Sequence, residues 1–218
     1  MPTSKNESIL LFVPNLLGYG RLILLVLSCW FMTSNWQLTA VTYFLSGIMD
    51  AFDGYAARLL NQSTQFGAML DMLVDRCATM CLLTCLSCFY PAYVFLFQMS
   101  MLVDISSHWL HMHTSVLGGR QSHKCIDLNG NPILCLYYQN KVVLFLMCAG
   151  NELFYSCLYI RHFLSGPLIF GGGLFTLLAV LTAPVAFTKF TINVLQLGAA
   201  AVNLAGIDEA TRSRKSTD

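Results

Sequence analysis

The sequence predicts an all-α, polytopic integral membrane protein with six transmembrane helices. Its 218 residues are 56% hydrophobic and only 11% charged, whereas soluble domains carry about 25% charged residues. The mean hydropathy is +0.62. Several apolar runs reach the ~20 residues that a helix needs to cross the hydrocarbon core of a bilayer. The net charge of +1 gives no case for nucleic-acid binding by bulk electrostatics.

Six hydrophobic segments divide the chain, which is predicted to form one membrane domain over residues 1–218 between a short polar N-terminus and a polar C-terminal tail. Their approximate bounds are 9–32, 38–59, 67–90, 92–117, 141–160 and 173–204. Pro14 lies early in the first segment, which favours a short interfacial helix before the span proper. The second and third segments contain aspartates and are less apolar than the others. The longest connection, residues 118–140, is interpreted as a loop, and Pro184 is expected to kink the last span.

The distribution of Lys and Arg near the span ends predicts the orientation. With a cytoplasmic N-terminus, that side receives most of the basic residues: Lys5, Arg58, Arg120, Lys124, Lys141, Arg212, Arg214 and Lys215. The opposite side receives only Arg161 with certainty. Both termini are therefore expected to face the cytoplasm.

Two stripes of polar and small residues lie on the second and third spans. Residues at i, i+3 and i+4 share a helix face, which groups Asp50, Asp53, Gly54, Ala57 and Arg58 on one helix and Gly67, Asp71 and Asp75 on the next. The short connection between the two helices folds them antiparallel, so that the stripes can face each other. The spacing thus predicts four converging carboxylates near the cytoplasmic side.

Four aspartates at membrane depth require compensation. Insertion scales assign about 2.5–3.5 kcal/mol to each Asp at the middle of a span, so four would cost on the order of 10 kcal/mol. Arg58 and Arg76 cannot neutralise all four, whereas hard divalent cations held by carboxylate oxygens can. We therefore expect two magnesium or manganese ions, which would bind phosphate oxygens and activate an alcohol. Small residues beside the carboxylates would let a bulky ligand approach, and the guanidinium of Arg58 could hold a phosphate.

Two structural alternatives compete with this interpretation. Asp50 and Asp53 could cap or snorkel at a helix end, and Arg58 alone is more often an interfacial anchor than a ligand. A cation channel or transporter could also use intramembrane acids, although it would not obviously need the glycines or Arg58 beside them.

The aspartate stretch follows the pattern D-x2-D-G-x2-A-R-x8-G-x3-D-x3-D from Asp50 to Asp75 and resembles the signature of the CDP-alcohol phosphatidyltransferases. The resemblance implies a six-helix protein of the endoplasmic reticulum membrane, a homodimer, with a polar cavity that opens to the cytoplasm. It also implies the site residues. The metal ligands would be Asp50, Asp53, Asp71 and Asp75, with Asp75 as the general base; Gly54 and Ala57 would lie near the nucleotide of CDP-diacylglycerol, Arg58 near its diphosphate, and Thr64 would be a further ligand of this substrate.

Segments outside the motif, such as "LFVPNLLGYGR", "SHKCIDLNGNP" and "AGNELFY", are similar to those of animal family members that use myo-inositol. This similarity implies transfer of a phosphatidyl group from CDP-diacylglycerol to myo-inositol, giving phosphatidylinositol and CMP. Two alternatives stay open: a sister enzyme with another acceptor alcohol, and a non-catalytic membrane protein that retains a metal site. Arg21, His108, His111 and Lys189 are polar residues in or beside apolar segments that we leave outside the catalytic set.

Overall fold

The structure, a computed structural model, describes residues 8–118, 132–169 and 172–215. The chain divides into two compact units, Met1–Phe89 and Tyr90–Asp218, which are described in turn. The predicted single domain over residues 1–218 stays a prediction.

The first unit contains three long helices. A 3₁₀ helix, Ile9–Leu11, precedes α1 (Val13–Phe31), which is followed by α2 (Trp36–Leu59) and α3 (Gln65–Phe89). The 3₁₀ helix occupies the place where Pro14 predicted a short separate helix. Pro14 itself lies in the first turn of α1, where its missing N–H removes no intrahelical hydrogen bond.

The turn between α2 and α3 makes the two helices antiparallel, so that their aspartate-bearing faces can meet. Asn61 has a φ of 54°, a left-handed conformation that asparagine tolerates better than most residues. The Thr64 hydroxyl then accepts the N–H of Gly67 at 3.0 Å, which caps the N-terminus of α3. The Gln62 side chain accepts the N–H of Val13 at 3.0 Å, and this bond ties the turn to the start of α1.

Small residues bring α1 close to its two neighbours. Ser28 on α1 and Thr39 on α2 are buried, and each hydroxyl donates to the other residue's carbonyl, at 3.5 and 3.3 Å. On the α3 side, a Cβ on Gly18 would lie 2.7 Å from Leu70 Cδ2. Small and hydroxyl residues at such contacts are typical of helix packing in membranes. They fix the distance at which α1 faces the aspartate-bearing helices.

The second unit contains the remaining helices. A 3₁₀ helix, Pro91–Tyr93, leads into α4 (Val94–Gly118), and α5 (Pro132–Gln139), α6 (Lys141–Phe163) and α7 (Leu174–Lys215) follow. Both α4 and α6 pack against α7. Gly150 on α6 allows this approach, because a Cβ there would lie 2.6 Å from Val185 Cγ1.

A buried polar network connects α4, α5 and α7. The Lys189 ammonium donates to Tyr137 Oη at 2.7 Å and to Asn193 Oδ1 at 2.9 Å. Asn193 Nδ2 in turn donates to Asp104 Oδ1 at 2.9 Å. All four side chains are buried, so the network satisfies polar groups that would otherwise be costly in an apolar interior.

Within the described part of the chain, the all-α prediction is confirmed apart from one small feature: β1 (Leu168–Ile169) and β2 (Gly172–Gly173) pair antiparallel, with Leu168 opposite Gly173. Two other boundaries differ from expectation. The segment interpreted as a loop contains α5, and α7 continues to Lys215, beyond the apolar segment predicted to end near residue 204.

Four helices of the described residues are long and apolar enough to cross a membrane: Val13–Phe31, Gln65–Phe89, Lys141–Phe163 and Leu174–Ser213. Large apolar side chains such as Trp30 and Phe44 are exposed on the helices, as expected of surfaces that face lipid. The chain is thus a multi-pass membrane protein. The other two long helices, α2 and α4, fall outside the set of four, and six spans stay a prediction.

Candidate active site

The structure brings the four aspartates of the predicted site together. Asp50 and Asp53 project from the C-terminal half of α2, and Asp71 and Asp75 from the N-terminal half of α3. One carboxylate oxygen each from Asp50, Asp53 and Asp71 lie within 4.8 Å of one another. The carboxylate of Asp75 completes the group by sharing a cationic partner with the other three.

That partner is Arg21 of α1. Its Nη1 lies 2.7 Å from Asp53 Oδ2 and 2.7 Å from Asp71 Oδ1. Its Nη2 lies 2.6 Å from Asp50 Oδ1 and also pairs with Asp75 Oδ1. The Arg21 side chain is only 2% exposed, so one buried guanidinium contacts the whole carboxylate group.

Arg21 stood outside the catalytic set predicted from the sequence. A signal was available, because an arginine inside an apolar helix needs a partner, and the four aspartates had too few basic residues on their own helices. Arg76, the neighbour of Asp75 on α3, contributes one longer ion pair, with Nη2 3.7 Å from Asp75 Oδ2.

The carboxylate group suits divalent metal ions. Its donors are all carboxylate oxygens, which magnesium and manganese prefer. The side chains of Asp50, Asp71 and Asp75 are 43, 48 and 35% exposed, whereas that of Asp53 is only 10% exposed. Ions and ligands could therefore reach three of the carboxylates, while the fourth anchors the group to the protein.

A cavity of about 190 Å³ adjoins the carboxylates within the first unit. The residues that the family resemblance assigns to CDP-diacylglycerol all line it: Gly54, Ala57, Arg58 and Thr64. Asp53 and Asp71 also line this cavity, so the predicted substrate residues and two of the predicted metal ligands share one space. Its remaining walls come from α1, from the turn before α3 and from the first turns of α3.

The glycines of the motif have different surroundings. A Cβ on Gly67 would lie 2.9 Å from Asn15 Oδ1 and 3.2 Å from Thr64 Oγ1, so the protein itself requires a glycine there. A Cβ on Gly54 would meet Arg58 Nη1 at 3.5 Å, an ordinary contact distance. Packing within the chain therefore does not explain Gly54, whereas a ligand in the cavity would.

Polar residues of the second unit serve other contacts. His108 Nδ1 lies 2.8 Å from the Asp104 carbonyl, His111 stacks on Tyr138 with ring centroids 5.6 Å apart, and Lys189 belongs to the buried network. The His108 contact lies within α4, whereas the His111 contact joins α4 to α5.

Comparison with known proteins identifies close relatives. The family model for CDP-alcohol phosphatidyltransferase matches residues 11–160. The chain is 53% identical to CDP-diacylglycerol–inositol 3-phosphatidyltransferase of Homo sapiens over 210 residues, which cover 96% of this chain and 99% of that protein. It is 48% identical to the protein of the same name from Drosophila melanogaster (99% and 94% covered) and 38% identical to that from Saccharomyces cerevisiae (96% and 93% covered). No solved structure matches the chain.

Proposed function

We propose that this chain, which belongs to the CDP-alcohol phosphatidyltransferase family, transfers the phosphatidyl group of CDP-diacylglycerol to myo-inositol, giving phosphatidylinositol and CMP. The observation that carries the proposal is identity along nearly the whole chain to relatives named for this reaction. The aspartate motif alone would not select the acceptor, because it does not distinguish the family's alcohols. The extent of the identity, far beyond the motif, supports inositol.

In this proposal Asp50, Asp53, Asp71 and Asp75 hold two magnesium or manganese ions. When bound, the ions polarise the diphosphate and neutralise the charge that develops on the departing CMP. The buried Asp53 fixes the ligand set in place, while the more exposed carboxylates face incoming ligands.

Residues of the cavity bind and orient the nucleotide substrate. The absence of a side chain at Gly54 and the small side chain of Ala57 leave room for the cytidine in the cavity. The guanidinium of Arg58 can donate two parallel hydrogen bonds to phosphate oxygens. The Thr64 hydroxyl already accepts the N–H of Gly67, so it can donate its own hydrogen to a substrate oxygen without giving up the helix cap.

Asp75 is the general base of the proposed reaction. Its carboxylate accepts the proton of an inositol hydroxyl as that oxygen attacks the phosphorus that bears diacylglycerol. The P–O bond to CMP breaks, and CMP leaves with its phosphate. Direct transfer requires no covalent intermediate on the protein.

We place the protein in the endoplasmic reticulum membrane as a homodimer, with both termini and the site on the cytoplasmic side. The placement rests on the family resemblance and on the excess of Lys and Arg on one predicted side.

The test is an acceptor assay on protein purified in detergent with lipid. CDP-diacylglycerol, magnesium or manganese, and one labelled alcohol at a time are added to the wild type, to Asp75→Asn, and to Asp208→Asn. The last variant makes the same chemical change at an exposed residue of α7. We expect labelled lipid from inositol alone, its loss with EDTA and in Asp75→Asn, and full activity in Asp208→Asn.

Other results would redirect the proposal. Product from serine or glycerol phosphate in place of inositol would keep the family and change the acceptor. No product from any alcohol, in folded protein that binds manganese, would support a non-catalytic membrane protein.

A further inference from the structure

The two terminal nitrogens of Arg21 divide the four carboxylates between them. Nη1 pairs with Asp53 and Asp71, and Nη2 pairs with Asp50 and Asp75. Each nitrogen thus contacts one aspartate of α2 and one of α3. The remaining nitrogen, Nε, is buried and has no hydrogen-bond partner among the described residues, so the aspartates are the principal ionic contacts of the guanidinium.

Divalent ions would bind the same carboxylates that Arg21 contacts. Magnesium binds carboxylate oxygens at about 2.0–2.1 Å, and Nη1 lies 2.7 Å from an oxygen of Asp53 and 2.7 Å from an oxygen of Asp71. An ion bound to either oxygen would lie within about 5 Å of that nitrogen. The guanidinium keeps its charge at any accessible pH, so it cannot avoid the repulsion by losing a proton.

We propose that Arg21 is the resident counter-cation of the aspartate cluster: it holds the carboxylates together until divalent ions bind, and the ions displace it from them. The inference rests on the proposed function in one respect, namely that the cluster binds metal. Arg21 is in this view a positioning residue, because it acts on the metal ligands and not on the reacting atoms. Metal binding is then coupled to a movement of the Arg21 side chain.

The first test measures how accessible Arg21 is with and without metal. An arginine-specific dicarbonyl reagent is applied to EDTA-treated and manganese-saturated wild type, and modification is read from peptide mass spectra. Arg58 is the internal control, because it lines the same cavity and is exposed, so it should react in both conditions. We expect modification of Arg21 to rise several-fold with manganese; unchanged protection at saturating metal would overturn the proposal.

The second test measures the affinity for manganese in the absence of substrate. Arg21→Gln removes the competing charge, and Arg21→Lys keeps a charge that cannot bridge both pairs of carboxylates. We expect Arg21→Gln to bind manganese about tenfold more tightly than the wild type. A change of this size is typical when one bound group alters the affinity of a protein for another. An equal or weaker affinity would mean that Arg21 only supports the fold. If Arg21→Gln does not fold without metal, the manganese affinity of Arg21→Lys is compared with that of the wild type instead. A tighter affinity supports the proposal, and an equal or weaker affinity overturns it.

The two proposals fail in distinguishable ways. If the wild type binds no manganese, the metal site of the proposed function fails, and the counter-cation role fails with it. If the wild type binds manganese and makes lipid while Arg21 stays protected, only the counter-cation role is wrong.

Discussion

Replacing Gly54 and Gly67 by alanine separates a glycine that serves a ligand from one that serves the fold. The Cβ of Gly54→Ala would meet Arg58 Nη1 at 3.5 Å, so the protein can accept it unchanged. The Cβ of Gly67→Ala would lie 2.9 Å from Asn15 Oδ1 and 3.2 Å from Thr64 Oγ1. Neither oxygen can move freely, because Asn15 donates to the Ile9 carbonyl at 2.6 Å and Thr64 accepts the N–H of residue 67 at 3.0 Å.

These contacts determine the expected changes in the free energy of unfolding. A glycine-to-alanine change inside a helix stabilises it by up to about 1 kcal/mol, and nothing opposes this gain in Gly54→Ala. In Gly67→Ala, overpacking of about 1–3 kcal/mol and a disturbed cap at Thr64 of about 1 kcal/mol outweigh the same gain. The net expectation for Gly67→Ala is a destabilisation of about 1–3 kcal/mol.

The assay combines thermal denaturation in detergent with the KM for CDP-diacylglycerol. Gly54→Ala should keep or raise the Tm while raising this KM by about tenfold, equivalent to about 1.4 kcal/mol of binding. Gly67→Ala should lower the Tm by several degrees. A Tm loss of similar size in Gly54→Ala would refute the steric reasoning, and an unchanged KM in a stable Gly54→Ala would refute the ligand role of this glycine.

Two further predictions concern the second unit. Gly150→Ala should lower stability by about 1–3 kcal/mol, because the new methyl meets Val185 at 2.6 Å; adding Val185→Ala should restore most of the Tm, and a failure to restore it would place the strain elsewhere. Lys189→Met should lower the Tm through about 1–3 kcal/mol of lost hydrogen bonding to Tyr137 and Asn193, while manganese affinity stays at the wild-type value; a changed affinity would contradict a purely structural role for this lysine.

Helical periodicity was enough to predict the two aspartate stripes. Spacing alone places the four aspartates on one face of each helix: Asp50 and Asp53 on α2, and Asp71 and Asp75 on α3. Because the turn between these helices is short, they must run antiparallel. The residues of that turn also signal its conformation, since asparagine and threonine suit a left-handed residue and a helix cap.

The place of Arg21 could not be predicted in the same way. It depends on which face α1 turns towards α2 and α3, and this is decided by close contacts such as that of Gly18 with Leu70, which no local pattern encodes. The short elements α5 and β1–β2 were missed for a different reason. Eight helical residues and two-residue strands are too few to establish a periodicity, and their stability comes from packing against neighbours.

The ion pairs between α1 and the two aspartate-bearing helices bear on how the chain enters the membrane during synthesis. An unpaired Arg or Asp at the centre of a helix raises the free energy of moving that helix from the translocation channel into lipid by about 2.5–3.5 kcal/mol per charge. Since α1 emerges from the ribosome first, its Arg21 is available when α2 arrives with Asp50 and Asp53. We expect α2, which is not among the four described helices long and apolar enough to cross a membrane, to partition together with α1 and not by itself.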